Sequence, residues 1–158
     1  MAEAYESGQQ SLIDSVDWLD YENMLAAAGP GPTRYTFDRG RLEMTILPSE
    51  HQRFKTSVFQ LINILTEELE LTLRCFGSMT LKRENLQKGF EPDECFYIQN
   101  EFRVAGMNRF DPAIHPAPAL VVEVDVTHRS IDHQAICAAM GVPEFWRFDG
   151  RTLRFFAL

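Results

Sequence analysis

The residues best suited to chemistry are three carboxylates on two short apolar runs. Asp93 follows Pro92 and opens Glu94-Cys-Phe-Tyr-Ile98, while Glu123 and Asp125 sit within Ala119-Leu-Val-Val-Glu-Val-Asp-Val126. Successive side chains of an extended strand alternate between faces, so Glu123 and Asp125 share one face while Val122, Val124 and Val126 share the other. Leu120 to Val122 are apolar on both faces, the pattern of a strand buried inside an α/β sheet. Two unit charges about 5 Å apart repel by roughly 3 kcal/mol at an effective dielectric near 20, and desolvation adds to that cost. A divalent cation removes the conflict. If the two runs are neighbours, Asp93 and Glu123 form an oxygen-ligand site of the kind that suits Mg²⁺ or Mn²⁺. The alternative is that Glu123 and Asp125 lie at a solvated strand end and Asp93 is an ordinary turn residue.

Such a site needs elements to hold it. After Asp93 and its strand, the Pro-rich stretch from Asp111 to Pro118 is an extended connection that delivers the chain into the Glu123 strand. Thr127-His-Arg-Ser130 follows; Ser130 is placed to cap a helix from Ile131 to Met140 that ends at Gly141, with Pro143 just beyond. His133 and Gln134 fall in its first turn. Upstream, Ser15 or Asp17 caps a helix running to about Ala28, with Trp18, Leu25 and Ala28 inward, and Gly29-Pro-Gly-Pro32 ends it. Arg34 to Phe37 and Leu42 to Leu47 read as a hairpin about Asp38-Arg39-Gly40, with Glu43 on its second strand. Apolar residues at Phe54, Val58, Leu61, Ile62, Leu65 and Leu69 predict a core helix from about Glu50 to Glu70. His51 falls in its first turn, where the plain expectation is a surface residue. Strands over Leu71–Phe76 and Met79–Arg83 precede a basic, polar loop from Lys82 to Lys88. Glu144–Phe148 and Thr152–Phe156 form an aromatic hairpin about Asp149-Gly150.

The 158 residues, 45% of them hydrophobic, suffice for one well-packed domain. Residues 15–158 are expected to form it, behind a flexible acidic tail over 1–14. No run reaches the roughly 18 to 20 apolar residues of a membrane span, and the acidic start lacks the regions of a signal peptide, so a cytoplasmic location is expected. Cys75, Cys95 and Cys137 have no CxxC spacing and read as buried thiols rather than a disulfide or zinc framework. The net charge of −8 argues at first against a nucleic-acid partner. Six acids and no Lys or Arg fall within residues 1–25, however, which leaves 17 acids against 15 bases in the remainder. A body so nearly balanced permits local contact with DNA.

Taken in order, Gly77-Ser78, Glu91-Pro-Asp-Glu-Cys-Phe-Tyr-Ile98, Leu120-Val-Val-Glu-Val-Asp-Val-Thr127 and Gly141-Val-Pro-Glu-Phe-Trp146 resemble the Uma-type family of bacterial restriction endonuclease-like proteins over roughly residues 17 to 158. The resemblance implies a PD-(D/E)XK fold, a central mixed sheet flanked by helices, with Mg²⁺-dependent hydrolysis of DNA phosphodiester bonds. It makes Asp93 and Glu123 metal ligands, adds Glu43 as an acidic position that completes such sites, and places His51 just after it. The chain departs from the pattern two residues after Glu123, where a lysine is expected and Asp125 stands. In many relatives the lysine sits instead on the following helix near His133, so His133 is the first candidate to replace it; Gln134, Lys82 and Arg83 are others. Two functions follow: a metal-dependent endodeoxyribonuclease, or a catalytically weakened nuclease-fold protein that serves as a dimeric binding or assembly module. A homodimer is expected in either case, because Phe145, Trp146, Phe148, Phe155 and Phe156 exceed what one small hairpin hides.

Overall fold

The computed structural model describes residues 8–126 and 129–158, and within them three α-helices accompany two five-stranded sheets. The first sheet runs β1 (Gln10–Ile13), β3 (Arg41–Ile46), β2 (Thr33–Asp38), β6 (Lys88–Phe90) and β5 (Leu81–Arg83), antiparallel throughout. The second runs β10 (Leu153–Ala157), β9 (Glu144–Phe148), β8 (Leu120–Val124), β7 (Glu94–Ile98) and β4 (Leu73–Gly77). Here β8 and β9 are parallel and the other neighbours antiparallel, because helix α3 (His133–Met140) crosses over between them. The mixed α/β class read from the sequence is present, divided between two sheets.

Register decides which side chains meet. Across the first sheet Leu12, Glu43, Thr36, Phe90 and Leu81 stand opposite one another in a single row and so share a face. The next row puts Leu42 and Phe37 on the other face, packed with Val16 and with Tyr21 of α1 (Trp18–Ala27). In the second sheet Cys95, Val121 and Phe145 join Ile136, Cys137 and Met140 of α3 together with Leu81 and Phe90, so α3 is packed by both sheets. The opposite face, Phe96, Leu120 and Val122, meets Val58 and Ile62 of α2 (His51–Glu68).

Several local expectations shift. Asp17 caps α1, its Oδ1 accepting the Asp20 N–H at 2.7 Å, but Ala28 is exposed and Tyr21 is the residue that buries. Only Val58, Ile62 and Thr66, after His51, bury along α2. Leu61, Leu65 and Leu69 are exposed, since a helix lying on one sheet hides a single stripe. The segment from Lys82 to Lys88 is not a loop; β5 passes through a 3-10 turn at Glu84–Leu86 into β6, with Gln87 at a φ of 51°. The tail expected over 1–14 falls partly on residues outside those described, and from Gln10 to Ile13 it is strand β1. Asp132, not Ser130, caps α3, accepting the N–H groups of Gln134 and Ala135 at 3.0 and 3.3 Å. The three cysteines are free, Cys95 and Cys137 buried and Cys75 half-buried. In the C-terminal hairpin Phe145 and Phe156 join the α3 side and Trp146 and Phe148 the α2 side, leaving Phe155 exposed.

Gly89 shows how tightly the first sheet is packed. A Cβ there would lie 2.4 Å from the Tyr21 hydroxyl and 2.8 Å from its Cε1, and that ring is itself stacked on Phe37 at 5.0 Å. Gly89→Ala is therefore expected to destabilise the fold by about 1 to 3 kcal/mol, which a thermal melt would read as a lowered midpoint.

Candidate active site

Strands β7 and β8 pair with Glu94 opposite Val122, and the same register carried one step on sets Asp93 against Glu123. Period-two alternation turns both toward the side that holds α3. Both are 1% exposed, which excludes the solvated strand end left open by the sequence. Asp93 Oδ2 accepts the Val124 N–H at 2.7 Å. The Nε2 of His51 lies 3.0 Å from Asp93 Oδ1; His51 opens α2 and is buried, not a surface residue, because that helix starts against the end of the acid-bearing strands. His133 Nδ1 lies 3.1 Å from Glu123 Oε1, and its Nε2 is 2.8 Å from the Thr36 hydroxyl. Asp93, Glu123, His51 and His133 thus lie together.

Glu43 holds the backbone that follows β8 with one oxygen and keeps the other, Oε1, buried without a hydrogen-bond partner. It is fully buried, and its Oε2 accepts the N–H groups of Ser130 at 2.6 Å and Ile131 at 3.0 Å and the side-chain amide of Gln10. Among the described residues no set of three or more His, Cys, Asp or Glu is arranged to hold a metal ion. Asp125 is half-buried with Oδ1 unpartnered, and it lines with Gln134 a cavity of about 340 Å³ bounded also by Glu123, Arg129, His133 and Arg147. Lys82 and Arg83 do not reach this cavity. They lie on β5, where Lys82 pairs with Glu22 beside a separate, larger cavity that neither Asp93 nor Glu123 lines.

Arg129 completes the group. Its Nη2 is 3.0 Å from Glu123 Oε2 and 3.9 Å from Asp93 Oδ2. The sequence pattern does not single it out, since no periodicity marks a residue between a strand and a helix. Thr36 and Arg147 were also missed: Thr36 is placed by its register with Glu43 and Phe90, and Arg147 stands opposite Glu123 on β9.

The electrostatics follow from burial. Burial pushes the Glu123 carboxyl well above its usual range, opposed by Arg129 and reinforced by the charges of Asp93 and Asp125. For Asp93 burial raises the value too, but the hydrogen bond and charge of His51, then Arg129 and the Val124 N–H, outweigh it and bring the net value down. His133 is pushed down to about 3 by burial and then by Arg129, which together outweigh Glu43, Asp93 and Asp125. His133 is therefore neutral near pH 7 and does not supply the missing cation. A lysine at 133 would be buried beside Arg129, two cations in one small site.

A hard divalent ion fits this donor set. Both Glu123 oxygens are buried and make no aligned hydrogen bond, with His133 Nδ1 and Arg129 Nη2 as their polar neighbours, a costly condition for a carboxylate that a cation relieves. Two carboxylates with water in the remaining positions are a habitual Mg²⁺ arrangement.

A model of the Uma2 family, described as "Putative restriction endonuclease", matches residues 18–158. The crystal structure described as a putative nuclease belonging to DUF820, from Anabaena variabilis, superposes with a TM-score of 0.53 at 13% identity, covering 87% of this chain and 83% of that one. That likeness carries the fold. None of the curated proteins matches the chain.

Proposed function

The chain belongs to the Uma2 family, described as "Putative restriction endonuclease", and from that premise we propose that it is a Mg²⁺- or Mn²⁺-dependent endonuclease that hydrolyses DNA phosphodiester bonds. The observation that carries the reading is the pair Asp93 and Glu123, buried side by side, with both Glu123 oxygens outside any aligned hydrogen bond. These two residues would hold the ion. Bound there, it supplies an activated water and stabilises charge on the phosphate oxygens. His51 and the Val124 N–H fix the Asp93 carboxylate in one orientation and favour its ionised form. Glu43 holds the backbone of 130–131 over the acids. Neutral His133, tied to Thr36, buttresses Glu123. Arg129 and Arg147 give the cavity wall positive groups for a phosphate. Conversion of supercoiled plasmid by the wild-type protein with Mn²⁺, absent in Asp93→Ala, tests the reading.

A second reading, a nuclease-fold binding or assembly module, is favoured by one observation: Asp125 stands where the catalytic lysine is expected, and a carboxylate there opposes rather than offsets growing negative charge. Binding of Mn²⁺ and DNA without any cleavage would select it.

A homodimer goes with either reading. The support is β10, an edge strand of the second sheet, with Phe155 exposed on it. Light scattering at micromolar concentration is expected to give twice the chain mass, and Phe155→Asp to return it to one; a monomeric wild type would remove the dimer. No described helix is long and apolar enough to cross a membrane, and the reading carries with it action in the cytoplasm.

A further inference from the structure

Although the expected lysine is replaced and His133 is neutral, the acid pair is not without a cation. The Arg129 guanidinium spans the two side chains proposed above to hold a divalent ion, 3.0 Å from Glu123 Oε2 and 3.9 Å from Asp93 Oδ2. The backbone behind it is pinned, because Glu43 accepts the N–H groups of the next two residues and Asp132 caps α3 directly after them. The contact has charge complementarity without hydrogen-bond alignment. Both Glu123 oxygens and Arg129 Nε and Nη1 are buried and make no aligned hydrogen bond, with His133 Nδ1 standing 3.1 Å from Glu123 Oε1. A permanent buried pair of arginine and carboxylate aligns its planes and forms parallel N–H···O bonds, since only good geometry offsets the desolvation of both charges. An unaligned pair with open valences on both sides marks a place that another ligand completes.

We propose that Arg129 is a tethered counter-cation that covers Asp93 and Glu123 in the metal-free protein and gives them up when a divalent ion enters. The inference rests on the metal reading above. A guanidinium and a divalent ion cannot both take the same carboxylate oxygens, and two cations that close repel strongly. Once displaced, the Arg129 head faces the cavity that it lines together with Arg147, where its planar fork suits the non-bridging oxygens of a phosphodiester. Arg129 thus opposes metal binding and favours substrate binding, and its removal changes the two affinities in opposite directions. A residue that merely propped up the site would weaken both.

Titration calorimetry with Mn²⁺ on wild type, Arg129→Gln and Asp93→Ala, followed by anisotropy with a short DNA duplex in Ca²⁺, separates the outcomes. Arg129→Gln is expected to bind Mn²⁺ about tenfold more tightly and the duplex about tenfold more weakly at low salt. Equal Mn²⁺ affinity in wild type and Arg129→Gln, with binding lost in Asp93→Ala, overturns the exchange and leaves the metal reading standing. No Mn²⁺ binding by either wild type or Arg129→Gln overturns both. Weaker Mn²⁺ binding in Arg129→Gln, or duplex binding unchanged by it, overturns the exchange as well. Should Arg129→Gln lose its near-ultraviolet circular dichroism without metal, recovery on adding millimolar Mn²⁺ supports the exchange and failure to recover overturns it.

Discussion

Asp93→Ala and Glu123→Gln are each expected to lower Mn²⁺ affinity by more than about 100-fold, beyond the 10- to 100-fold that loss of an outer-shell partner costs, and to abolish plasmid cleavage. Their metal-free stabilities should differ in sign. Asp93 is held below its usual value by His51, Arg129 and the Val124 N–H against the opposing effect of burial, so its charge is favourable in the fold and Asp93→Ala should melt earlier. Glu123 is pushed well above its usual value, by burial first, so its charge is unfavourable and Glu123→Gln should melt at the same temperature or later near pH 7. With saturating Mn²⁺ wild type should melt above both, so that Glu123→Gln falls below it and the deficit of Asp93→Ala widens, because wild type alone gains the binding energy. Unchanged Mn²⁺ affinity in either variant would withdraw that residue from the ligand pair.

The second large effect is an acid limb in the stability curve. The value of His133 falls from an ordinary 6.5 to about 3 in the folded protein, through burial and then Arg129. Below pH 6.5 the unfolded chain takes up a proton that the folded chain refuses, so this contribution is complete above pH 6.5 and is lost as the pH falls toward 3. At about 1.4 kcal/mol per pH unit the loss is bounded near 4 to 5 kcal/mol. Glu123 acts in the other direction: its raised value gives stability that is full below pH 4.5 and is lost as the pH rises toward the folded value. Urea unfolding at pH 5 and pH 7 in a Glu123→Gln background isolates the histidine. That protein should be about 2 kcal/mol less stable at pH 5, and adding His133→Gln, which keeps a hydrogen-bonding group near Thr36, should flatten the difference. An equal slope in both would mean that His133 does not carry the limb.

What could be read from the sequence and what could not divide along physical lines. Asp93 and Glu123 were legible because strand alternation is strict and because charge inside an apolar run calls for an explanation. Glu43 was found for its type, but its role was not legible, since nothing local to Arg41–Ile46 tells that the N–H groups of residues 130 and 131 arrive against it. Arg129 went unnoticed because its importance lies in which side chains it stands beside once the chain has folded, and no period in the sequence reports that. Leu61, Leu65 and Leu69 fit a helical stripe that α2 does not bury, because periodicity reports which face is apolar and not how wide the covering surface is. Lys82 and Arg83 were considered for charge alone, and their strand lies at the edge of the first sheet, with Lys82 committed to Glu22.

The ties around Glu43 also set when, in the life of the chain, the site comes into being. Gln10 on β1 reaches Ser130, 120 residues away, and Glu43 reaches Ser130 across 87. Contacts of such separation close late in folding, since the loop entropy is spent before they return anything. On the ribosome, at about 5 to 20 residues per second, the Asp93 strand emerges a few seconds before the backbone of 130 and 131 that is pinned beside it, and the Glu123 strand only about a second before. A nascent chain of this protein thus carries its two carboxylates open and undirected, and it acquires an ordered site only when its last third has been made.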